Sequence, residues 1–164
     1  MTLNLYFLRH GETTYSQSGD FCGETNAELT PEGVKMAEAF GDMYQKLKWE
    51  AVYASPMKRT VATAKPFCDA TGIDMQLRDG LREGSYGEWE GKSKEFAQEN
   101  YTENYINWLT EPAWNAPKGG ETSVDIANRS MPVIAEIQEK HPEGNVLLVS
   151  HKATIRIMLC SLLG

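Results

Sequence analysis

Leu3-Asn4-Leu5-Tyr6-Phe7-Leu8-Arg9-His10-Gly11-Glu12-Thr13 is an apolar run that stops abruptly in charge and glycine. Leu3 to Leu8 is short, rich in strand formers, and reads as a buried strand. The far end of the chain repeats the pattern. Asn145 to Val149 is a fully apolar strand, and Ser150-His151-Lys152 follows it before a closing helix over Lys152 to Leu163. Ala51 to Ala54 reads as another strand, and Asp74 to Leu81 as a third in chain order. Helices separate them. Thr30-Pro31-Glu32 supplies an N-cap and a proline at the first helical position, with Ala37, Phe40, Tyr44 and Leu47 at helical spacing behind it. Ser55-Pro56 repeats that start signal for a helix running to Gly72, with Pro66 inside it as a candidate kink. Thr122 opens a helix that sets Val124, Ala127, Met131, Ile134 and Ile137 on one face, and Pro132 interrupts it. Strands alternating with helices give an α/β domain with a largely parallel sheet. Ligands of such sheets sit beyond the carboxyl ends of the strands. His10 and His151 both fall there.

The 164 residues fit a single domain with a real core, and 41% hydrophobic with 24% charged residues excludes a disordered or collagen-like chain. No internal repeat or low-complexity tract divides it. Basic residues number 16 against 23 acidic ones, a net charge of −7. Such a surface repels nucleic acid and anionic lipid, so neither is an expected partner. No apolar stretch is long enough to span a bilayer. Met1-Thr2-Leu3-Asn4-Leu5 lacks the basic start of a secretory leader, so a cytoplasmic location is expected. Cys22, Cys68 and Cys160 are odd in number and lack CxxC spacing. They read as free thiols in a reducing compartment, with no disulfide framework and no zinc site.

Four constellations carry chemistry. Arg9-His10-Gly11-Glu12 sets an imidazole beside a planar guanidinium that matches phosphate, and Gly11 lets the backbone approach a ligand and offers an N–H. Alone, the string also fits an exposed turn. Ser55-Pro56-Met57-Lys58-Arg59-Thr60 places Arg59 in the first turn of a helix, an anion site, or else a cation paired to a surface carboxylate. Glu83 lies in a glycine- and aromatic-rich stretch, Leu81 to Gly91, where a carboxylate suits general acid work; an ordinary solvated acidic loop is the alternative. Ser150-His151-Lys152 adds a second histidine at a helix N-terminus. His141, in Lys140-His141-Pro142, reads as a surface cation at a helix end.

In this order the motifs FLRHGET (Phe7–Thr13), SPMKRTVATA (Ser55–Ala64), LREGSYGEWEG (Leu81–Gly91) and VSHKATIR (Val149–Arg156) resemble the histidine phosphatase superfamily. That superfamily includes the cofactor-dependent phosphoglycerate mutases and many small phosphomonoesterases. Gly23 to Gly33 and Gly119-Gly120-Glu121-Thr122 also look like family segments. The resemblance implies a three-layer α/β sandwich with a largely parallel central sheet flanked by helices, as in the mutases. It implies that His10 becomes phosphohistidine, that Arg9, Arg59 and His151 hold the phosphoryl oxygens, and that Glu83 protonates the leaving oxygen and then activates water. Gly11, Ser16, Cys22, Gly23 and Lys152 take the substrate-side positions. Ser16, Cys22, Asn26 and Lys152 depart from the family's usual asparagine, glutamine, aspartate and glycine.

A metal-independent phosphatase with no cofactor is therefore expected, acting on a small phosphorylated metabolite, with an acidic to neutral optimum because Glu83 must carry a proton. The mutases bear a longer basic insertion. Here residues 84–120 offer Lys92, Lys94 and Lys118 with Phe96, Tyr101, Tyr105, Trp108 and Trp114, which either pack a small subdomain or form an apolar rim to the substrate site. A mutase and a catalytically inactive phospho-ligand binder remain the alternatives. Relatives of the family continue past the closing helix, so a missing sheet edge or substrate rim and a truncated C-terminus are left open, as is a homodimer.

Overall fold

The structure is a computed structural model that describes residues 2–164. Four strands, β1 (Leu3–Arg9), β2 (Ala51–Ala54), β3 (Met75–Leu77) and β4 (Gly144–Ser150), form one sheet in the order β1-β4-β2-β3, every pairing parallel. The helices are α1 (Thr14–Ser18), α2 (Pro31–Tyr44), α3 (Lys58–Thr71), α4 (Lys94–Asn100), α5 (Thr102–Thr110), α6 (Ser123–Lys140) and α7 (Lys152–Leu163).

The strands read as unbroken apolar runs because both faces are covered. Alternation along β4 sorts its side chains. Leu147 and Val149 join Val52, Ala64 and Phe67 on the α2/α3 side, whereas Val146 and Leu148 join Tyr53, Ile134 and Met158 on the α6/α7 side. That makes the three layers. A third, smaller cluster of Phe21, Trp89 and Ala97, flanked by Tyr86, Tyr105 and Trp108, belongs largely to residues 84–120.

Register sets the level of the site. Arg9 stands opposite Ser150, and Ala54 opposite Val149. The ladder continues one step further, with the His10 N–H donating to the Ser150 carbonyl at 3.1 Å and the Ser55 N–H to the Val149 carbonyl at 3.0 Å. The chain then leaves β1 and β2 toward the α2/α3 layer but leaves β4 toward α7 on the opposite layer. Adjacent strands feeding opposite faces open a crevice at the carboxyl edge of the sheet.

Several boundaries differ from the sequence reading. The third strand is only Met75–Leu77, and Asp79–Leu81 is a 3-10 turn. The Arg78 guanidinium is drawn to Glu136 (2.8 and 2.6 Å), and the turn drops Leu81, fully buried, into the core. α3 begins at Lys58, later than Ser55-Pro56 suggested, with no capping side chain of its own. The cap comes from another loop: the Lys58 N–H donates to Asn26 Oδ1 at 2.8 Å. In α6 the buried residues are Ile126, Ser130, Val133, Ile134 and Ile137, a face rotated from the expected one, with Val124, Ala127 and Met131 at its margin. Leu47 lies past the end of α2 and is exposed. Thr30 and Thr122 do cap α2 and α6, bonding the Gly33 and Asp125 N–H groups. His141 is the C-cap of α6, at the helix end as expected, and is half-buried with its ring 3.1 Å from the Tyr53 hydroxyl. Among the described residues no helix is long and apolar enough to cross a membrane.

Candidate active site

A cavity of about 270 Å³ lies over the carboxyl edge of the sheet, at the ends of β1 and β4. Arg9, His10, Ser16, Cys22, Glu83 and Lys152, distant in sequence, all line it. Arg59 and His151 lie beside it, fully buried.

His10 follows β1 directly, and its ring Nδ1 is 2.7 Å from the Gly11 carbonyl. A carbonyl only accepts, so Nδ1 carries the proton and Nε2 keeps its lone pair. Burial is the main influence on the ring and lowers its pKa to about 4; the bond to Gly11 opposes it, and the Arg59 and Arg9 charges reinforce it. His10 is therefore neutral at pH 7, with Nε2 free of any protein partner among the described residues. A neutral imidazole with an open nitrogen is a nucleophile that needs no separate base.

His151 caps α7, its ring centroid 5.3 Å from that of His10. Its Nδ1 receives the Arg59 Nε–H at 3.2 Å. A guanidinium only donates, so the His151 proton sits on Nε2, which faces the Ser55 hydroxyl at 2.8 Å. Burial, followed by the charge of Arg59, holds its pKa well below 6.5. Arg59 Nη1 and Nη2 donate to the Thr25 and Gly23 carbonyls at 2.7 and 2.9 Å. Arg59 and His151 thus form the floor of the site, His151 bonded to protein at both ring nitrogens and Arg59 at each of its three nitrogens.

Glu83, 8% exposed, turns its carboxylate onto the first turn of α7. Oε2 accepts from the Ala153 N–H at 3.1 Å; Oε1 accepts from the Thr154 and Gly84 N–H groups at 3.2 and 3.0 Å. The helix N-terminus holds this carboxylate in place beside the cavity.

The smaller residues divide. Gly11 is packed against α2: a Cβ there would lie 2.5 Å from the Gly33 carbonyl oxygen, and its N–H donates to Thr63 Oγ1 at 2.9 Å. That N–H is not offered to a ligand, contrary to expectation. Gly23 is also behind the cavity wall; its N–H meets the Glu90 carboxylate at 3.1 Å, and a Cβ would collide with the Gly84 carbonyl. Ser16 lines the cavity, but its hydroxyl closes a capping box with Thr13. Burial raises the pKa of Cys22, so the cavity thiol stays protonated and is a poor rival to His10.

Sequence reading did not single out Arg156 or Tyr86, and it left Lys94 and Trp108 between a packed subdomain and a rim to the site. Lys94, Arg156, Tyr86 and Trp108 line the cavity. Arg156 had a signal, since it lies four residues after Lys152 on one helix and so shares its face. Lys94 sits in a segment without usable periodicity. Glu90 ties the 22–25 loop to the 83–91 loop, accepting from the Gly23, Glu24 and Tyr86 N–H groups at 3.0 to 3.1 Å. Electrostatically, Arg9, Lys94, Lys152 and Arg156 make no ion pair among the described residues, whereas Lys35, Lys58, Lys65, Arg78, Arg129 and Lys140 are all paired. In a chain of net charge −7, four uncompensated cations converge on one cavity. Such a field draws a small anion.

Residues 5–164 match the family profile described as histidine phosphatase superfamily (branch 1). Phosphoserine phosphatase 1 of Hydrogenobacter thermophilus is 30% identical over 162 residues, which are 99% of this chain and 77% of that one. A mycobacterial glucosyl-3-phosphoglycerate phosphatase solved with VO3 superposes at a TM-score of 0.89 with 30% identity, covering 97% of this chain and 81% of the other. A putative α-ribazole-5'-P phosphatase from Escherichia coli superposes at 0.90 with 25% identity, covering 100% and 81%.

Proposed function

The chain belongs to the histidine phosphatase superfamily, and on that premise we propose that it hydrolyses small phosphomonoesters through a phosphohistidine on His10. One observation carries the reading. A neutral His10 with an unpartnered Nε2 shares a cavity with unpaired cations and with the Glu83 carboxyl group.

Nε2 of His10 attacks phosphorus as the bond to the leaving oxygen breaks, and Glu83 gives that oxygen its proton. The resulting carboxylate then takes a proton from water, whose oxygen attacks phosphorus and releases phosphate, restoring His10. Phosphoryl transfer asks the protein chiefly for positioning and charge neutralisation. Arg9 and Lys152, exposed at the rim, are suited to grip phosphoryl oxygens directly. Arg59 and His151 act from beneath, orienting the 22–25 loop and supplying positive potential; for His151 to donate to a phosphoryl oxygen, its Ser55 bond has to be exchanged. A small phosphorylated metabolite is the expected ligand, turned over without a metal.

The test is phosphate release from a panel of phosphoserine, sugar phosphates, phosphoglycerates and nucleotides. Turnover should persist in chelator and vanish in His10→Ala. Substantial turnover by that variant would overturn the assignment of the nucleophile. Conversion of 3-phosphoglycerate primed with bisphosphoglycerate, at a rate rivalling hydrolysis, would make the protein a mutase instead.

A further inference from the structure

Beside the catalytic cavity lies a second one of about 360 Å³, and Tyr86, Trp108, Ala153 and Arg156 line both. We propose that this second cavity is the leaving-group subsite, and that the substrates are phosphomonoesters of alcohols with an apolar, ring-sized body. The inference rests on the phosphohistidine reading, in which Glu83 protonates the leaving oxygen.

Direction is the first reason. Glu83 lines the catalytic cavity, while the next two residues, Gly84 and Ser85, line the second. On the proposal, a leaving oxygen meets Glu83 and its carbon skeleton runs past Gly84 into the second cavity. The character of the walls is the second. Leu109, Pro112, Pro117, Ile126 and Ile157 face the space. Its one carboxylate, Glu121, is already engaged, accepting from Arg129 at 2.8 and 3.0 Å and from the Ser85 N–H at 2.9 Å. Arg156, at the shared rim, is the charged group without a partner among the described residues. The third reason is that the walls are pinned. A Cβ on Gly84 would lie 2.6 Å from Ile126 Cδ1, and one on Gly120 would lie 2.4 Å from the Ser85 carbonyl oxygen. The Trp108 ring stands edge-on to the buried Trp89 at 5.5 Å. A preformed apolar pocket with a single charge at its mouth fits an apolar group tethered to an anion. Each methylene buried in it should raise affinity about fourfold.

Ethyl phosphate and 2-phenylethyl phosphate test this, because both release a primary alcohol and differ mainly in the apolar body. The wild-type protein should favour the phenylethyl ester by at least about tenfold in kcat/KM, mainly through KM. Cys160 lines only the second cavity and is exposed, so Cys160→Trp should fill it. That variant should lose the preference while hydrolysing ethyl phosphate within about twofold of wild type, and Cys160→Ala should keep the preference. Equal kcat/KM for the two esters in the wild-type protein would overturn the proposal without any variant, as would a preference that survives Cys160→Trp. Calorimetry with 2-phenylethylphosphonate and ethylphosphonate reads the subsite without turnover. Tighter phenylethyl binding, lost in Cys160→Trp, supports it even if His10 proves not to be the nucleophile; equal binding overturns it.

Discussion

The loops after β1 and β4 each begin with a histidine, at the same level of the sheet and 5.3 Å apart between ring centroids, yet the two rings live differently. His10 is tied at one nitrogen and open at the other. His151 is fully buried and held at both, by Arg59 and by Ser55. Both are kept neutral mainly by burial, so charge state does not distinguish them. What distinguishes them is the number of hydrogen bonds the fold has already made. The open nitrogen is available for covalent chemistry, and the closed ring braces the floor beneath it.

Removing each ring should break this contrast most sharply. His10→Ala should cost on the order of 10⁴-fold or more in kcat and change unfolding stability little, as expected for a nucleophile. His151→Ala should instead lower stability by about 2–5 kcal/mol, because the buried Arg59 Nε–H and Ser55 hydroxyl each lose a partner. Urea denaturation of the two variants measures this; equal losses would erase the distinction.

pH offers a second, smaller lever. In the unfolded chain a histidine takes up its proton below about pH 6.5, whereas folded His10 does so near 4. The unfolded state therefore binds more protons between these values. Stability from His10 is fully present above 6.5 and is lost as pH falls toward about 4, and the lowered His151 pKa adds in the same direction. Of His10 activity needs a neutral Nε2, so the acidic limb of kcat/KM that belongs to this ring should lie near 4. A limb centred at 6.5 would mean that the ring is solvated.

Smaller still is Ser55→Ala. It removes one of the two partners of His151 and should cost about 1–3 kcal/mol of stability, with His10 chemistry retained. A loss of turnover as large as that of His10→Ala would mean that Ser55 has a direct part in the chemistry.

Much of this arrangement could be read from the chain. Leu3–Leu8, Ala51–Ala54 and Asn145–Val149 are apolar on both faces because they are covered on both faces, and that pattern located both histidines at strand ends. What misled was side chains whose partners lie far away in sequence. Ser55 looks like a helix cap, but its hydroxyl meets His151 and the helix begins at Lys58 with Asn26 as its cap. Gly11 and Gly23 look like ligand-facing glycines, yet each permits backbone to pass close to backbone, at Gly33 and Gly84. Asp74 to Leu81 looked like one strand because the pull of Glu136 on Arg78 is invisible locally. Lys94 and Glu90 act only once the aromatic segment has folded over the sheet edge.

The most direct measurement is to mix the protein rapidly with a phosphomonoester labelled in the phosphoryl group, quench in alkali, and map the label by peptide. A bound phosphate on the peptide carrying His10, stable in alkali and lost in acid as an N-linked phosphate is, should form and decay at rates that account for turnover. Label on the His151 peptide, or steady hydrolysis with no protein-bound phosphate, would contradict the open-nitrogen assignment.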